Sequence, residues 1–547
     1  PRAARVAKHR AAAQWLQEIA GERVADHAGM LASHYQEALL LARALGSDRE
    51  AQELEGPTVT FLIMAGDRAT GLDAQQATRF YEQALELMTA DHPDRANALL
   101  KAARAIHHAG RFTEAQERYQ QAVDAFRARG ELTRSAGAMV DLALLDRDLG
   151  ETARGRALFQ EAIEVLEHEP PGPELAQAYV QAAREAMLAS KFREAQVWSE
   201  RAIALASDVG RRDIEVEGRM RLGSARHNLG EPGGREDIEA ALGDAVELGL
   251  VWIAGIAFNN LGDVVWFEEG PSNALKIFHE GLEFSDRRGG GFNSLWTKGS
   301  MAFSLIDAGR WDDALAAAEE IFRWERETGA SQMGLMAANV AGWVLTQRGE
   351  VQEAAEVWEG QLPRAREAQD PQMLWTTIGV AAQVARALGN DDDAVALLEE
   401  LAEKAGRESY EMWGEYNRLD CIRLAIDLGR IDLAEVLLER SGTLTVRQQH
   451  AQVAGRALIT EVTGDFEKAL GLYEDAVRRW TEFGNEPERA HALLGNGRCL
   501  FRLGRAGAES LLQEAVRTYR TLGARPLIES AELLLRDVGG QAASESS

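Results

Sequence analysis

The sequence predicts an all-α protein, a right-handed superhelical solenoid of about twelve helical hairpins with a period near 40 residues. Three observations carry that expectation. A turn residue recurs at Gly71, Gly110, Gly150, Ser190, Gly230, Gly270, Gly309, Gly349, Gly389, Gly429, Gly464 and Gly504. Ten of the eleven gaps in this series are 39 or 40 residues, and Gly429 to Gly464 is 35. Seven residues before the marker a small residue returns, at Ala103, Ala143, Ala183, Gly223, Ala302, Gly342, Ala382, Ala457 and Gly497. Finally, the chain is rich in Ala, Leu, Glu and Arg with only 12 Pro, which favours helix. At 547 residues it also exceeds the ~250–300 at which a single core stops growing, and repetition is one way past that limit.

The elements follow in order. Residues 2–20 and 25–45 read as two amphipathic helices separated by Gly21, Glu22 and Arg23. Gly46 to Asp48 and then Gly56-Pro57 break the pattern, so residues 1–56 are expected to be helices leading from a missing upstream domain. Residues 57–525 form the repeat array. After each marker comes a hydrophobic residue at +2, Ala at +5, a large apolar residue at +9 and Ala near +12. Gly110, Phe112, Ala115, Tyr119, Ala122 and Gly464, Phe466, Ala469, Tyr473, Ala476 are full instances. Repeats five, six and twelve need one-residue shifts; with its marker moved to residue 269, the sixth places Gly262 in the small position. Ile422 is the exception. Residues 526–540 read as a capping helix stopped by Gly539-Gly540, and 541–547 as a disordered tail.

This text resembles the tetratricopeptide repeat over roughly residues 57–520. There, small residues let the two helices of a hairpin approach and an aromatic fills the wedge beside them. The usual repeat has 34 residues, so each helix here is expected to be longer by nearly a turn. The segments KHRAAAQWLQ and LASHYQEALLLARALG, within residues 8–46, are similar to the stretch joining a winged-helix domain to helical repeats in bacterial STAND-type regulators, MalT-like or cyclase-linked. That resemblance implies a C-terminal sensor whose nucleotide-binding module lies upstream. Pro1 in place of Met fits a piece of a longer protein.

Charge and motifs exclude several functions. Formal net charge is −27, from 60 basic and 87 acidic residues, the wrong sign for tracking phosphates. No direct nucleic-acid or membrane partner is expected, and no apolar run reaches the ~18 residues of a membrane span. Only seven residues are Lys, which reads as the codon bias of a GC-rich bacterium. Cys421 and Cys499 form no CxxC, read as buried structural thiols, and suit a reducing cytoplasm. GxxxxGK[ST], HExxH and GxSxG are all missing, so no enzyme activity, cofactor or metal is assigned. His107-His108 reads as a solvated helix end, Asp391 to Asp393 as the start of a helix, and Leu444 to Arg447 as the lead into a repeat, not a DNA-reading helix.

What remains is a surface. Helix A of each hairpin should line the concave side, with inward places thirteen, ten, six and three residues before the marker. Nine of the twelve Trp fall between Trp252 and Trp413, which directs attention to repeats six to ten. The candidate ligand-binding residues are Asn259, Asp263 and Trp266; Trp296 and Phe303; Asn339 and Trp343; Arg386 and Arg423. Against this, the Trp could pack between neighbouring A helices, and inward Arg104, Arg184, Arg386, Arg423 and Arg498 could form salt bridges between repeats. Asn260 matches one place of the tetratricopeptide clamp for a C-terminal carboxylate, but the accompanying Lys are missing. The expected partner is a protein, peptide or small-molecule effector in the concave groove. The expected role is a sensor of a signalling ATPase or transcriptional regulator. A freestanding protein-binding scaffold and the regulatory arm of a nucleotide cyclase are the alternatives.

Overall fold

A computed structural model describes residues 2–70, 72–288, 291–329, 331–404, 416–440 and 442–545. The marker Gly71 and Trp413 lie outside them. The described chain is helical throughout. It opens with α1 (Arg2–Ala20), a 3-10 turn (Gly21–His27) and α2 (Ala28–Ala44). Hairpins follow: α3 (Asp48–Thr70) with α4 (Ala74–Leu87), α5 (Arg95–His108) with α6 (Phe112–Ala128), α7 (Leu132–Asp148) with α8 (Thr152–His168), and α9 (Pro173–Leu188) with α10 (Phe192–Asp208). Next come α11 (Arg212–Asn228) with α12 (Gly234–Glu247), α13 (Val251–Glu269) with α14 (Pro271–Asp286), and α15 (Gly291–Asp307) with α16 (Trp311–Thr328). In the hairpin begun by α17 (Gln332–Arg348), the second helix is split into α18 (Val351–Trp358) and α19 (Gln361–Ala368). Then come α20 (Pro371–Ala387) with α21 (Asp391–Lys404), and α22 (Arg418–Asp427) with the nine-residue α23 (Ile431–Glu439), whose shortness accounts for the 35-residue gap between Gly429 and Gly464. The array ends with α24 (Val446–Val462) and α25 (Phe466–Phe483), α26 (Glu486–Arg502) and α27 (Ala508–Leu522), and the single α28 (Arg525–Glu545).

The small-residue position does what its spacing implies. A Cβ on Gly262 would fall 2.4 Å from the ring of Phe278, and one on Gly342 would fall 3.0 Å from the ring of Trp358. Phe278 and Trp358 are the +9 residues of their own repeats, so each hairpin closes by seating an aromatic on the bare backbone of its partner helix. Ala103, Ala183, Ala382 and Ala457 are fully buried in the same role. The described markers end helix A with the positive φ that glycine adopts freely. Ser190, the one marker that is not Gly, is held there with φ 58°.

Two sequence boundaries move. Gly56 and Pro57 lie inside α3, so the first hairpin starts at Asp48 and not at residue 57. Pro there removes one backbone donor, and burial of Leu54, Phe61 and Leu62 holds the helix across the break. At the far end α28 runs through Gly539 and Gly540 to Glu545 instead of stopping at 540.

The larger surprise is the pitch. An array whose units meet only their neighbours leaves its inner face open. Here successive turns of the superhelix touch. The guanidinium of Arg147 on α7 reaches Asp370 at the start of α20, 223 residues on, with Nη2 2.5 Å from Oδ2. Gln332 donates to the carbonyl of Arg147 at 3.0 Å. Arg447 reaches Asp307 at 3.0 Å, across 140 residues. Arg348 donates to the carbonyl of Leu522, and Arg525 to that of Arg348. A Cβ on Gly270 would fall 2.0 Å from the carbonyl oxygen of Phe483. These contacts draw distant parts of the array together around the inner groove.

Candidate functional site

The inner groove holds a partly open cavity of about 1520 Å³. Its wall is built from the inner faces of α5, α7, α9, α11 and α13, with the start of α15 and the segment 442–448. Helical geometry explains which side chains reach it. On α5, Asn97, Leu100, Arg104 and His107 recur at three- and four-residue spacing; on α13, Trp252, Ile256, Asn259, Asp263 and Phe267 do the same.

Polar contacts knit neighbouring A helices together along this wall. Arg104 on α5 pairs with Asp141 on α7 at 2.7 Å, and Asp148 on α7 with Arg184 on α9 at 3.3 Å. Gln177 on α9 donates to Glu217 on α11 at 3.3 Å, and Asn260 on α13 to Ser224 on α11 at 3.3 Å. The five inward arginines therefore spend their charge on the protein: Arg386 pairs with Asp391, Arg423 with Asp420 and Glu488, and Arg498 with Glu461. Eight acidic side chains (Asp67, Asp141, Asp148, Glu174, Glu194, Asp213, Glu217, Asp263) face eight basic ones (Arg68, Arg104, Arg134, Arg184, Lys191, Arg193, Arg211, Arg221) around the cavity. The wall is thus balanced although the chain carries −27.

An aromatic corner lies at one side. His108 stacks on Trp252 with ring centres 4.3 Å apart and 11° between planes, and Trp252 stacks in turn on Phe292 at 5.7 Å. His107 is buried, with Nε2 3.5 Å from Asp148. Burial, together with His107 and Arg104, pushes the His108 imidazole down to about 3, so it is neutral at ordinary pH. The expectation of a solvated helix end for this pair is corrected: His107 is buried against Phe292 of α15, and His108, half-buried, stacks on Trp252 of α13. Among the described residues no group of His, Cys, Asp or Glu is placed to hold a metal ion, and no helix is long and apolar enough to cross a membrane. Cys421 and Cys499 are both buried, which raises their thiol pKa values and leaves them poor nucleophiles.

The nine candidate residues separate into two sets. Asn259, Asp263 and Trp296 line the cavity. The other six do not. Trp266 is buried, donates to Asp307 at 2.9 Å, and lies under the guanidinium of Arg447. Phe303 packs on Tyr416 at 4.7 Å. Trp343 donates to Asp420 at 2.8 Å and meets Trp311 edge-on. Asn339 is buried in α17, while Arg386 and Arg423 are tied up in the ion pairs above. Trp266, Phe303 and Trp343 thus serve packing between repeats and not the cavity. The residues that the sequence left out, His107, His108, Gln177, Gln181, Glu217 and Arg221, occupy repeats two to five. Their signal was present in the inward register, which gives Asn97, Leu100, Arg104 and His107 directly.

Around Asp263 the chemistry is distinct. Its Oδ2 accepts from Asn259 Nδ2 at 3.2 Å. Its Oδ1 and the Oδ1 of Asn259 have no hydrogen-bond partner in the protein. Burial pushes this carboxyl up to about 7, with the Asn259 hydrogen bond opposing the rise.

A family model described as soluble NSF attachment protein, SNAP, matches residues 70–208, inside the hairpin array. No curated protein matches. Among solved structures the chain is similar to the APC/C hetero-tetramer Cut9-Hcn1, at 12% identity over 84% of this chain and 93% of that one, TM-score 0.44. It is also similar to a Rap protein complexed with competence and sporulation factor, at 10% identity over 68% and 99%, TM-score 0.37. A third is the apo form of the quorum sensor NprR from B. thuringiensis, at 14% identity over 70% and 96%, TM-score 0.36.

Proposed function

We propose that this chain is a non-catalytic binding module that holds a peptide, or a peptide segment of a protein, in its inner groove and reports it to a larger signalling protein. The observation that carries the reading is the cavity. At about 1520 Å³ it exceeds the ~300–1,000 Å³ of pockets that take drug-sized molecules. Its wall alternates aromatic faces with hydrogen-bonding groups, which suits a chain of amide units better than one compact metabolite. Side-chain amides at Asn97, Gln177, Gln181 and Asn260 can pair with a peptide backbone.

The contacts that draw the array together around the groove supply a route to regulation. A ligand that fits one cavity width better than another would shift the Arg147–Asp370 and Asp307–Arg447 contacts between turns. Such a ligand moves the equilibrium only by its differential affinity for the two widths. The likeness of residues 8–46 to the linker of STAND-type regulators supports an upstream ATPase or transcriptional effector as the recipient. Titration of the purified chain with pooled hexapeptides, followed by Trp fluorescence, tests the reading. Saturable binding that weakens by about 1–3 kcal/mol in folded Trp252→Ala or Trp296→Ala supports it. Binding that both variants retain in full refutes it.

A further inference from the structure

One carboxyl of the cavity wall, Asp263, has no ion-pair partner among the described residues. Asp263 lies midway along α13, one turn after Asn259, and both line the cavity. Among the described residues no basic side chain pairs with Asp263, in contrast to Asp141 and Asp148 on the same wall. A carboxylate withdrawn from water is costly unless something compensates it.

Asn259 is the second, independent observation. It is only 5% exposed, its Nδ2 is committed to Asp263, and its Oδ1 has no partner in the protein. Two acceptors one helical turn apart on one face therefore look for donors, and one of them is a carboxyl that a neighbouring cation would hold in its charged form. The group that satisfies both carries several N–H donors and a positive charge. Aromatic rings complete the surroundings: Phe267, one turn further along α13, together with Trp296 and Tyr416, line the same cavity. Ring faces attract cations, most strongly where water is thin. Arg447, which comes from another part of the array, pairs with Asp307 and lies over the face of Trp266.

We infer that Asn259 and Asp263, with Phe267, Trp296 and Tyr416 around them, form a subsite for a cationic nitrogen of the ligand, an alkylammonium or guanidinium. The inference rests on the reading of the cavity as the ligand site, and it fixes the ligand's charge at one point. A peptide could present such a group either as its N-terminal ammonium or as a Lys or Arg side chain.

Benzylammonium and the neutral benzyl alcohol serve as probes of the whole chain, with thermal shift and Trp fluorescence as readouts. The ammonium is expected to bind saturably and at least tenfold tighter than the alcohol, and Asp263→Asn should abolish that preference. The comparison on the unaltered protein needs no variant, so a misfolded mutant leaves it standing. Equal binding of the two probes, or binding of neither, overturns the inference. Three hexapeptide pools then identify the source: one with a free N-terminus and no Lys or Arg, one acetylated with a single Lys, and one acetylated with neither. Tighter binding of the first assigns the N-terminal ammonium, and of the second the side chain. If all three bind alike, the cation subsite fails while the peptide reading survives. If none binds but benzylammonium does, the peptide reading fails and the subsite stands.

Discussion

Replacing Gly270 by Ala tests whether the turns of the superhelix really meet. Gly270 joins α13 to α14 with φ 90° and ψ 174°, and a Cβ there would fall 2.0 Å from the backbone carbonyl oxygen of Phe483 in the next turn. That is far inside the 3.4 Å of ordinary contact, and a backbone atom cannot swing aside as a side chain can. The substitution carries two penalties. One is the backbone conformation, which L-residues adopt at a cost of about 1–3 kcal/mol. The other is the forced separation of two packed turns, at about 1–3 kcal/mol or more. Gly329 supplies the control. It has φ 104° and ψ 167°, nearly the same conformation, and nothing lies within 4 Å of its Cβ position. Gly329→Ala should therefore show the first cost alone. Because a long array need not unfold in one step, global melting is paired with hydrogen exchange read locally at residues 480–485. The account expects Gly270→Ala to melt several degrees below Gly329→Ala and to speed exchange around Phe483. Two variants equally destabilised, with exchange at Phe483 unchanged, would show that these turns do not touch.

Other substitutions probe the same architecture. Arg147→Ala leaves the fully buried carboxylate of Asp370 with only the Gln372 amide, and should cost about 3–5 kcal/mol by chemical denaturation; Arg147→Ala combined with Asp370→Asn should recover part of it. Ser190→Gly relieves a left-handed serine whose buried Oγ lacks a partner, and should raise stability by about 1 kcal/mol in the same assay. For Asp263 the folded carboxyl titrates at about 7 and the unfolded one at about 3.9. The folded chain holds that proton more tightly, so this group's stabilisation is complete below pH ~4 and is lost as pH rises through about 7. Asp263→Asn should flatten that fall, and near pH ~8 it should be more stable than the native chain by about 1–2 kcal/mol. That is less than the full ~1.36 kcal/mol per unit, because the cavity admits solvent. Tyr416 is electrostatically coupled to Asp263, and burial raises its phenol, so it does not change charge across this window.

Much of this was legible in the sequence, for a definite reason. Pairing of the −7 and +9 places is local, confined to one hairpin, and Gly262 on Phe278 or Gly342 on Trp358 follows from spacing alone. The inward register is equally local, and it picks out Asn259 and Asp263, which line the cavity. The pitch is not local. It is the sum of small rotations over many repeats, and it decides which inner faces stay open and which are covered by the following turn. Trp266, Phe303 and Trp343 look alike in sequence to Trp252 and Trp296. They differ because Asp307, Tyr416 and Asp420 arrive from elsewhere in the chain to cover them. His107 and His108 read as a solvated helix end for the same reason, since Phe292 and Trp252, which meet them, come from helices far along the chain.

Photo-crosslinking reaches the central claim most directly. A hexapeptide pool carrying a benzophenone side chain is bound to the intact chain, irradiated, and the attachment points are read by mass spectrometry. The account predicts attachment on the inner faces of α5 to α13 and on α15, at residues such as Leu100, Ile256 and Trp296, with protection by excess unlabelled pool. Saturable attachment confined to the outer helices α6, α8, α10 and α12, with the cavity residues unmodified, would contradict it.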